Sequence, residues 1–247
     1  MERDNEEIFE NLQEILSKLP DHYQILEETI DVDVQKAYFE LGQSITIDPE
    51  QDQPGRLIQQ LNNPGSSLHE VKIILQKLAA IDSVEAFRAI EAYNQQPHPK
   101  LRSWAILALQ QSKMLMHSSL LDEQQVFIST GLGGKDDKLR YLLIFPYTQI
   151  EEGISLMPLQ KKSLKNELTY FLSGHRGEVE KVQFSDRFAT AMVLLPLQAP
   201  IPDIVGNILT ECNQYGNFLS EDVLITNMKK FTKKEISELI ARHEQKN

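Results

Sequence analysis

The chain has 247 residues, of which 41% are apolar and 25% are charged, and its formal net charge at pH 7 is −11. No apolar run approaches the ~20 residues that a membrane-spanning helix needs, so no membrane association is predicted. The first residues are acidic and lack the basic and apolar segments that are typical of a secretion signal. The single cysteine, Cys212, excludes an internal disulfide and favours a reducing, cytoplasmic location.

The charge is divided unevenly between the two halves of the chain. Residues 1–123 carry 21 acidic and 10 basic side chains, whereas residues 124–247 carry 15 of each. This change in composition indicates two domains, which we predict over residues 1–120 and 124–247. Because an acidic surface repels phosphate, nucleic-acid binding by the first domain is not expected.

The first domain is predicted to be helical throughout. Apolar residues recur at helical spacing, and proline and glycine separate the periodic stretches. The helices are predicted near residues 5–18, 33–43, 55–62, 67–80, 83–95 and 100–113. Six short antiparallel helices pack either as an irregular bundle or as a solenoid, and the pattern leaves both open.

One segment favours a solenoid. In HPKLRSWAILAL, residues 98–109, a proline precedes the pair Leu101–Arg102 and a face rich in Ala and Leu. This pattern resembles the second helix of HEAT repeats, and weaker copies around Val34 and Val71 lie at repeat-like spacings. The resemblance implies a protein-binding scaffold with a concave surface rather than a catalyst.

Trp104 and Arg102 lie within this HEAT-like segment and are its candidate contacts with a partner protein. Trp104 is the only tryptophan, and a buried aromatic anchor at an interface is a common use of this residue. Its position between Leu101 and Leu107 makes burial in the domain's own core the favoured interpretation.

The second domain contains a repeated strand–helix–strand unit. The run Tyr141–Pro146 recurs as Met192–Pro196, and each copy is followed by a helical stretch and a short apolar strand. Strands are predicted at 139–147, 179–185, 188–197 and 223–227, with helices at 159–172 and 200–213. The order βαββαβ resembles a ferredoxin-like α+β sandwich, here with an extra strand at 126–130 and a terminal helix from Thr232. The predicted fold class of the chain is therefore α+β.

Two points of the second domain stay open. The first and third core strands are apolar on both faces, so both faces of the sheet must be covered. The internal helices cover one face, and the terminal helix or a homodimer is favoured for the other over the first domain. The strand at 126–130 either adds at an edge or changes the ferredoxin-like order.

Most catalytic and metal-binding patterns are incomplete. Gly131–Lys135 lacks the spacing of a phosphate-binding loop and is predicted to be a turn. The histidines form no helical pair and no cluster with Cys212, so neither a metal site nor another cofactor is predicted. His175 and Arg176, near Asp186 or Asp222, form the best remaining constellation for acid–base or anion-binding chemistry. An exposed helix-to-strand turn is the favoured interpretation of this segment.

The favoured function is a non-enzymatic cytoplasmic adaptor or scaffold with protein partners. A first alternative is RNA or ribosome association through lysines of the second domain, including Lys229 and Lys230, for which solvated helix ends are the simpler interpretation. A second alternative is a small-ligand-binding or enzymatic ferredoxin-like domain that uses His175 and Arg176.

Overall fold

The structure of the protein is a computed structural model that describes residues 23–121, 126–148 and 156–244. In these residues the fold is mixed α+β with eight α-helices. The predicted helix at 5–18 lies outside them. Two compact units divide the described residues: the first includes residues 23–26 and Ile30–Ile128, and the second includes Glu27–Thr29 and the described residues from Ser129 onward.

The first unit is mainly helical. Its helices are α1 (Val32–Ser44), α2 (Pro54–Leu61), α3 (Leu68–Ala79), α4 (Val84–Gln95) and α5 (Arg102–Leu121). A 3-10 turn, Pro99–Leu101, runs directly into α5. Helix α5 continues well past its predicted end at residue 113, because neither proline nor glycine interrupts the sequence before Leu121.

Local capping explains where these helices begin. The backbone N–H of Glu70 donates to Ser67 Oγ at 3.2 Å, and the Ser67 N–H donates to the Glu70 carboxylate at 2.7 Å. This reciprocal pair satisfies two backbone donors at the start of α3. Asp31 caps α1 and Ser83 caps α4 with a single hydrogen bond each, in which the side chain accepts from a backbone N–H.

The described helices of the first unit close on each other. Helix α1 packs against α3 and α5, so the first and last of the five are in contact. In a solenoid each repeat contacts only its neighbours. The described helices are therefore packed as a bundle, which is one of the two alternatives that the sequence left open. Its core is apolar and includes Leu75, Leu78, Ile90, Trp104, Ala105 and Ala108.

Two short strands complete the first unit. Strand β1 (Tyr23–Ile25) pairs in parallel with β2 (Val126–Ile128), and Gln24 lies opposite Phe127. The prediction that residues 126–130 form an extra strand of the second domain is therefore wrong. A run of three apolar residues fits any half-buried strand, and its pattern does not identify a partner about 100 residues away.

The second unit contains an antiparallel sheet. Its elements are β3 (Gly134–Lys135), β4 (Lys138–Pro146), α6 (Pro158–Gly174), β5 (Glu178–Phe184), β6 (Phe188–Pro196), α7 (Ile201–Asn213), β7 (Leu224–Thr226) and α8 (Lys233–Glu244). The strands lie in the order β7–β4–β6–β5, and every neighbouring pair is antiparallel. The short strand β3 pairs with the beginning of β4 across the glycine-rich turn.

Both faces of this sheet are covered. Leu143 and Val193 belong to a buried cluster that includes residues of α6 and α7. On the other face, Leu142 and Ile144 lie in a cluster with Ile236 and Ile240 of α8. Burial of each such isoleucine stabilises the fold by roughly 1.5–3 kcal/mol, so the terminal helix provides the cover that the apolar strands require.

A segment from early in the chain packs on the glycine-rich turn. The Gly134 N–H donates to the Glu27 carbonyl at 3.3 Å, and the Thr29 hydroxyl donates to the Leu132 carbonyl at 3.2 Å. Gly133 has φ 68°, and a Cβ at this position would lie 2.4 Å from the Glu27 carbonyl oxygen. The close approach of Glu27–Thr29 therefore requires glycine at 133.

We predict that Gly133→Ala lowers the free energy of unfolding of the second unit by about 2 kcal/mol, because the new methyl group strains the turn and displaces Glu27–Thr29. Cys212 reports this change, since it is fully buried and is the only thiol. Burial raises the pKa of this thiol to about 11, which further slows its alkylation in the folded state. The alkylation rate should rise about 30-fold.

Gly206→Ala is the matched control. Gly206 lies within α7, and a Cβ there meets no atom within 4 Å. Because alanine favours a helix over glycine by about 1 kcal/mol, this variant should slow the alkylation of Cys212. Equal alkylation rates in the two variants would contradict the role assigned to Gly133.

Candidate functional site

The described residues of the first unit enclose a half-open cleft of about 340 Å³. One wall comes from α1 and the segment after it, and the others come from α3, α5 and β2. The lining residues are Tyr38, Phe39, Gly42, Gln43, Ile45, Ile47, Gln76, Ala80, Leu107, Gln111, Met114 and Phe127. Most of the exposed lining is apolar, which is typical of sites that bind apolar groups.

Helical spacing brings these residues together. On α5, Leu107, Gln111 and Met114 follow each other at intervals of four and three, and Gln76 of α3 precedes Ala80, the residue that caps the end of α3, by four. Residues at these intervals share one helix face, so each helix contributes a stripe to the cleft.

The buried part of the lining contains a small polar network. The Tyr38 hydroxyl donates to Gln111 Oε1 at 2.7 Å, and Gln76 Nε2 donates to the same oxygen at 3.4 Å. Burial raises the pKa of Tyr38, so its hydroxyl keeps the proton that it donates. Gln111 Oε1 therefore accepts two hydrogen bonds, one short and one long.

The side-chain oxygen of Gln76 lacks a hydrogen-bond donor. The residue is 4% exposed, and its Oε1 atom has no hydrogen-bond partner among the described residues. A buried acceptor without a donor costs about 1–3 kcal/mol relative to its state in water. Such a group in a cleft lining is a place where a bound molecule can restore a lost hydrogen bond.

Gly42 lets α1 lie close to this glutamine. A Cβ at position 42 would lie 2.4 Å from Gln76 Nε2. Any other residue would therefore displace the Gln76 amide, which is the terminal group of a flexible side chain. Glycine in the last turn of α1 is explained by this approach and not by helix propensity, which disfavours it.

Phe39 is the exposed aromatic residue of the cleft. Its side chain is 46% exposed, and its ring meets the Tyr38 ring edge-on at a centroid distance of 5.6 Å. A large apolar side chain held at the edge of an apolar cleft adds contact area for a bound apolar group.

A second concavity in the first unit is polar. Asp52 accepts two hydrogen bonds from Lys77 Nζ, at 2.6 and 2.8 Å, and one from the Asp48 N–H. Burial raises the pKa of Asp52, but these hydrogen bonds and the lysine charge outweigh it and leave the pKa below its ordinary value. The pair satisfies itself and attaches the segment before α2 to α3, so we assign it a structural role.

The structure places Trp104 in the core of the first unit. Trp104 is 3% exposed, its Nε1–H donates to the Lys72 carbonyl at 3.2 Å, and its ring lies 5.1 Å from that of Tyr38. Arg102 is exposed at the start of α5. Of the two residues predicted to contact a partner protein, Trp104 is therefore buried and only Arg102 presents its side chain to solvent.

His175 and Arg176 lie on the surface of the second unit at the end of α6. Arg176 adopts a left-handed conformation with φ 58°, and its guanidinium lies 3.3 Å from the Asp137 carboxylate. His175 is exposed and follows the last helical residue, Gly174. Arg176 thus lies in the turn that ends α6, and its ion-pair partner is Asp137.

Lys229 stabilises the beginning of the terminal helix. Its Nζ lies 2.9 Å from a Glu235 carboxylate oxygen and 4.8 Å from the Phe231 ring centroid. Hydrogen bonds from the Thr232 N–H, from Lys229 and from the Thr232 hydroxyl lower the pKa of Glu235 to about 2. Lys230 is exposed, and RNA binding through these lysines stays a prediction.

Sequence reasoning missed the cleft. The best signal for it in the sequence is Gln76, a polar residue beside the apolar positions Leu75 and Leu78, together with Gly42 inside a helix.

Across the ranges 23–121, 126–148 and 156–244, no three His, Cys, Asp or Glu side chains are grouped to hold a metal ion. None of the helices in those ranges has the length and apolarity to cross a membrane.

We predict opposite effects for two buried glutamines. Gln76→Met should leave the free energy of unfolding of the first unit unchanged or raise it by up to about 1 kcal/mol, because it removes the unpaired acceptor. Gln35→Met should lower that free energy by about 1–3 kcal/mol, because Gln35 Nε2 donates to the Ile30 carbonyl at 2.8 Å.

Denaturant unfolding followed by the fluorescence of Trp104 checks both values. Trp104 is the only tryptophan and is buried in the first unit, so its emission reports that unit. A loss in Gln76→Met as large as that in Gln35→Met would show that Gln76 is already satisfied.

Comparison with known proteins gives little for this chain. No protein-family model matches the sequence, and no curated protein has significant similarity to it. Among solved structures, a "putative transposase" from Deinococcus radiodurans is similar at 17% sequence identity and a TM-score of 0.33. The match covers 44% of this chain and 93% of the other. A TM-score this low carries no argument about the fold or activity of this protein.

Proposed function

We propose that the protein is a non-enzymatic adaptor whose first unit binds an apolar segment of a partner protein in the cleft. The observation that carries this proposal is the half-open apolar cleft with an exposed aromatic side chain, Phe39, in its lining. Interfaces of this kind take a buried side chain as an anchor and surround it with weaker contacts.

Charge supports a particular kind of partner segment. The first half of the chain carries 21 acidic and 10 basic side chains, so this half has a net negative charge that attracts positive charge. A partner segment with an apolar anchor between basic residues complements both the cleft and this net charge. Cytoplasmic location, predicted from the single cysteine, is part of the same proposal.

For the second unit we propose a ferredoxin-like domain that contributes to assembly. The strand order β7–β4–β6–β5, with α6 and α7 packed on one face, supports this assignment. This fold hosts many activities, so the assignment of a role in assembly rests on the adaptor proposal and not on the fold.

The test is capture by the tagged full-length chain from extract of the cells that produce it, at moderate salt, with a photo-crosslinking residue at position 39. We expect a defined protein to crosslink at position 39 and to be lost from the captured fraction in Phe39→Asp. A charge in an apolar cleft removes about 2 kcal/mol or more of binding energy, which is a loss of about 30-fold or more.

Val84→Asp and a crosslinker at position 84 are the matched controls. Val84 is 54% exposed, belongs to the same unit and does not line the cleft. Capture that survives both substitutions, or that both abolish, would reject the cleft as the binding site.

A further inference from the structure

We infer that the cleft is built for the side chain of a tryptophan in the partner protein, whose indole N–H donates to the carboxamide oxygen of Gln76. This inference rests on the proposed function and names the anchor of the partner segment. It follows from the chemistry of one atom, Gln76 Oε1, which is buried and lacks a donor among the described residues.

The hydrogen bonds of the cleft decide what a bound group must bring. Gln111 Oε1 already accepts from Tyr38 and from Gln76 Nε2. Gln76 Oε1, in contrast, accepts no hydrogen bond from the described residues. An apolar group without a donor, such as the side chain of Leu, Met or Phe, would fill the cleft but leave this oxygen without a hydrogen bond, so it would bind less tightly than a similar group that supplies a donor.

Among apolar side chains that carry a donor, tryptophan matches best. Its indole offers one N–H and no acceptor, so one hydrogen bond to Gln76 Oε1 satisfies both partners. The tyrosine hydroxyl brings lone pairs that also need donors. A cleft of about 340 Å³ also accommodates the largest aromatic side chain, which buries the most apolar area.

Gln76 can turn to meet the donor. The hydrogen bond from its Nε2 to Gln111 Oε1 is long, at 3.4 Å, and therefore weak, so rotation of the amide loses little hydrogen-bond energy. The amide lies directly against the backbone of Gly42, since a Cβ there would lie 2.4 Å from Nε2. Gly42→Ala should therefore displace the amide, and with it the acceptor oxygen, and weaken the binding of indole.

The experiment uses the full-length protein with two probes, indole and 1-methylindole, which share the ring but differ in the N–H donor. Binding is measured by calorimetry. We expect indole to bind about tenfold more tightly than 1-methylindole, the effect of one hydrogen bond to a buried acceptor. Gln76→Met should abolish this preference, while Gln59→Met, an exposed glutamine of the same unit, should keep it.

The outcomes separate this inference from the proposed function. Equal affinities for the two probes in the wild-type protein would overturn the donor requirement and leave an apolar cleft. No binding of either probe, together with loss of partner capture in Phe39→Asp, would overturn the tryptophan anchor while the adaptor proposal stands. No binding together with unchanged capture in Phe39→Asp would overturn both. A crosslinked partner peptide centred on tryptophan would support both.

Discussion

The architecture of the second unit depends on two strands that are apolar on both faces. Strands β4 and β6 lie side by side in the centre of the sheet, and neither of their faces is suited to water. Helices α6 and α7 cover one face, and Ile236 and Ile240 of α8 cover part of the other. Burial of apolar surface stabilises a fold by roughly 25 cal/mol per Å², so covering both faces of these strands stabilises the second unit.

Local patterns predicted the elements better than their partners. The helices of residues 32–95 begin and end within two residues of their predicted bounds, because apolar spacing and capping residues such as Ser67 are encoded locally. The repeated strand–helix–strand units also predicted the main strands of the sheet. The pairing of β2 with β1 could not be predicted from local patterns, because a run of three apolar residues does not specify a partner strand distant in sequence.

The same limit explains why the cleft was not predicted. Tyr38, Gln76 and Gln111 come from three helices, and only their packing brings the amide and hydroxyl groups together. A buried glutamine with an unpaired oxygen lowers stability, and such departures from local rules are expected at functional or strained sites. His175 and Arg176 show the reverse case, since residue types that suggest chemistry in the sequence lie in an exposed turn.

Glu27–Thr29 makes the second unit discontinuous in sequence. During synthesis this segment emerges about 100 residues before Ser129, where the rest of its unit begins. Closing so long a loop from an unfolded chain carries a large entropic penalty. The pairing of β1 with β2, which includes the hydrogen bond from the Leu26 N–H to the Ile128 carbonyl at 2.9 Å, joins the two ends of that loop. Leu26 and Ile128 directly precede the two segments of the second unit in the chain, so this pairing makes the two segments start side by side.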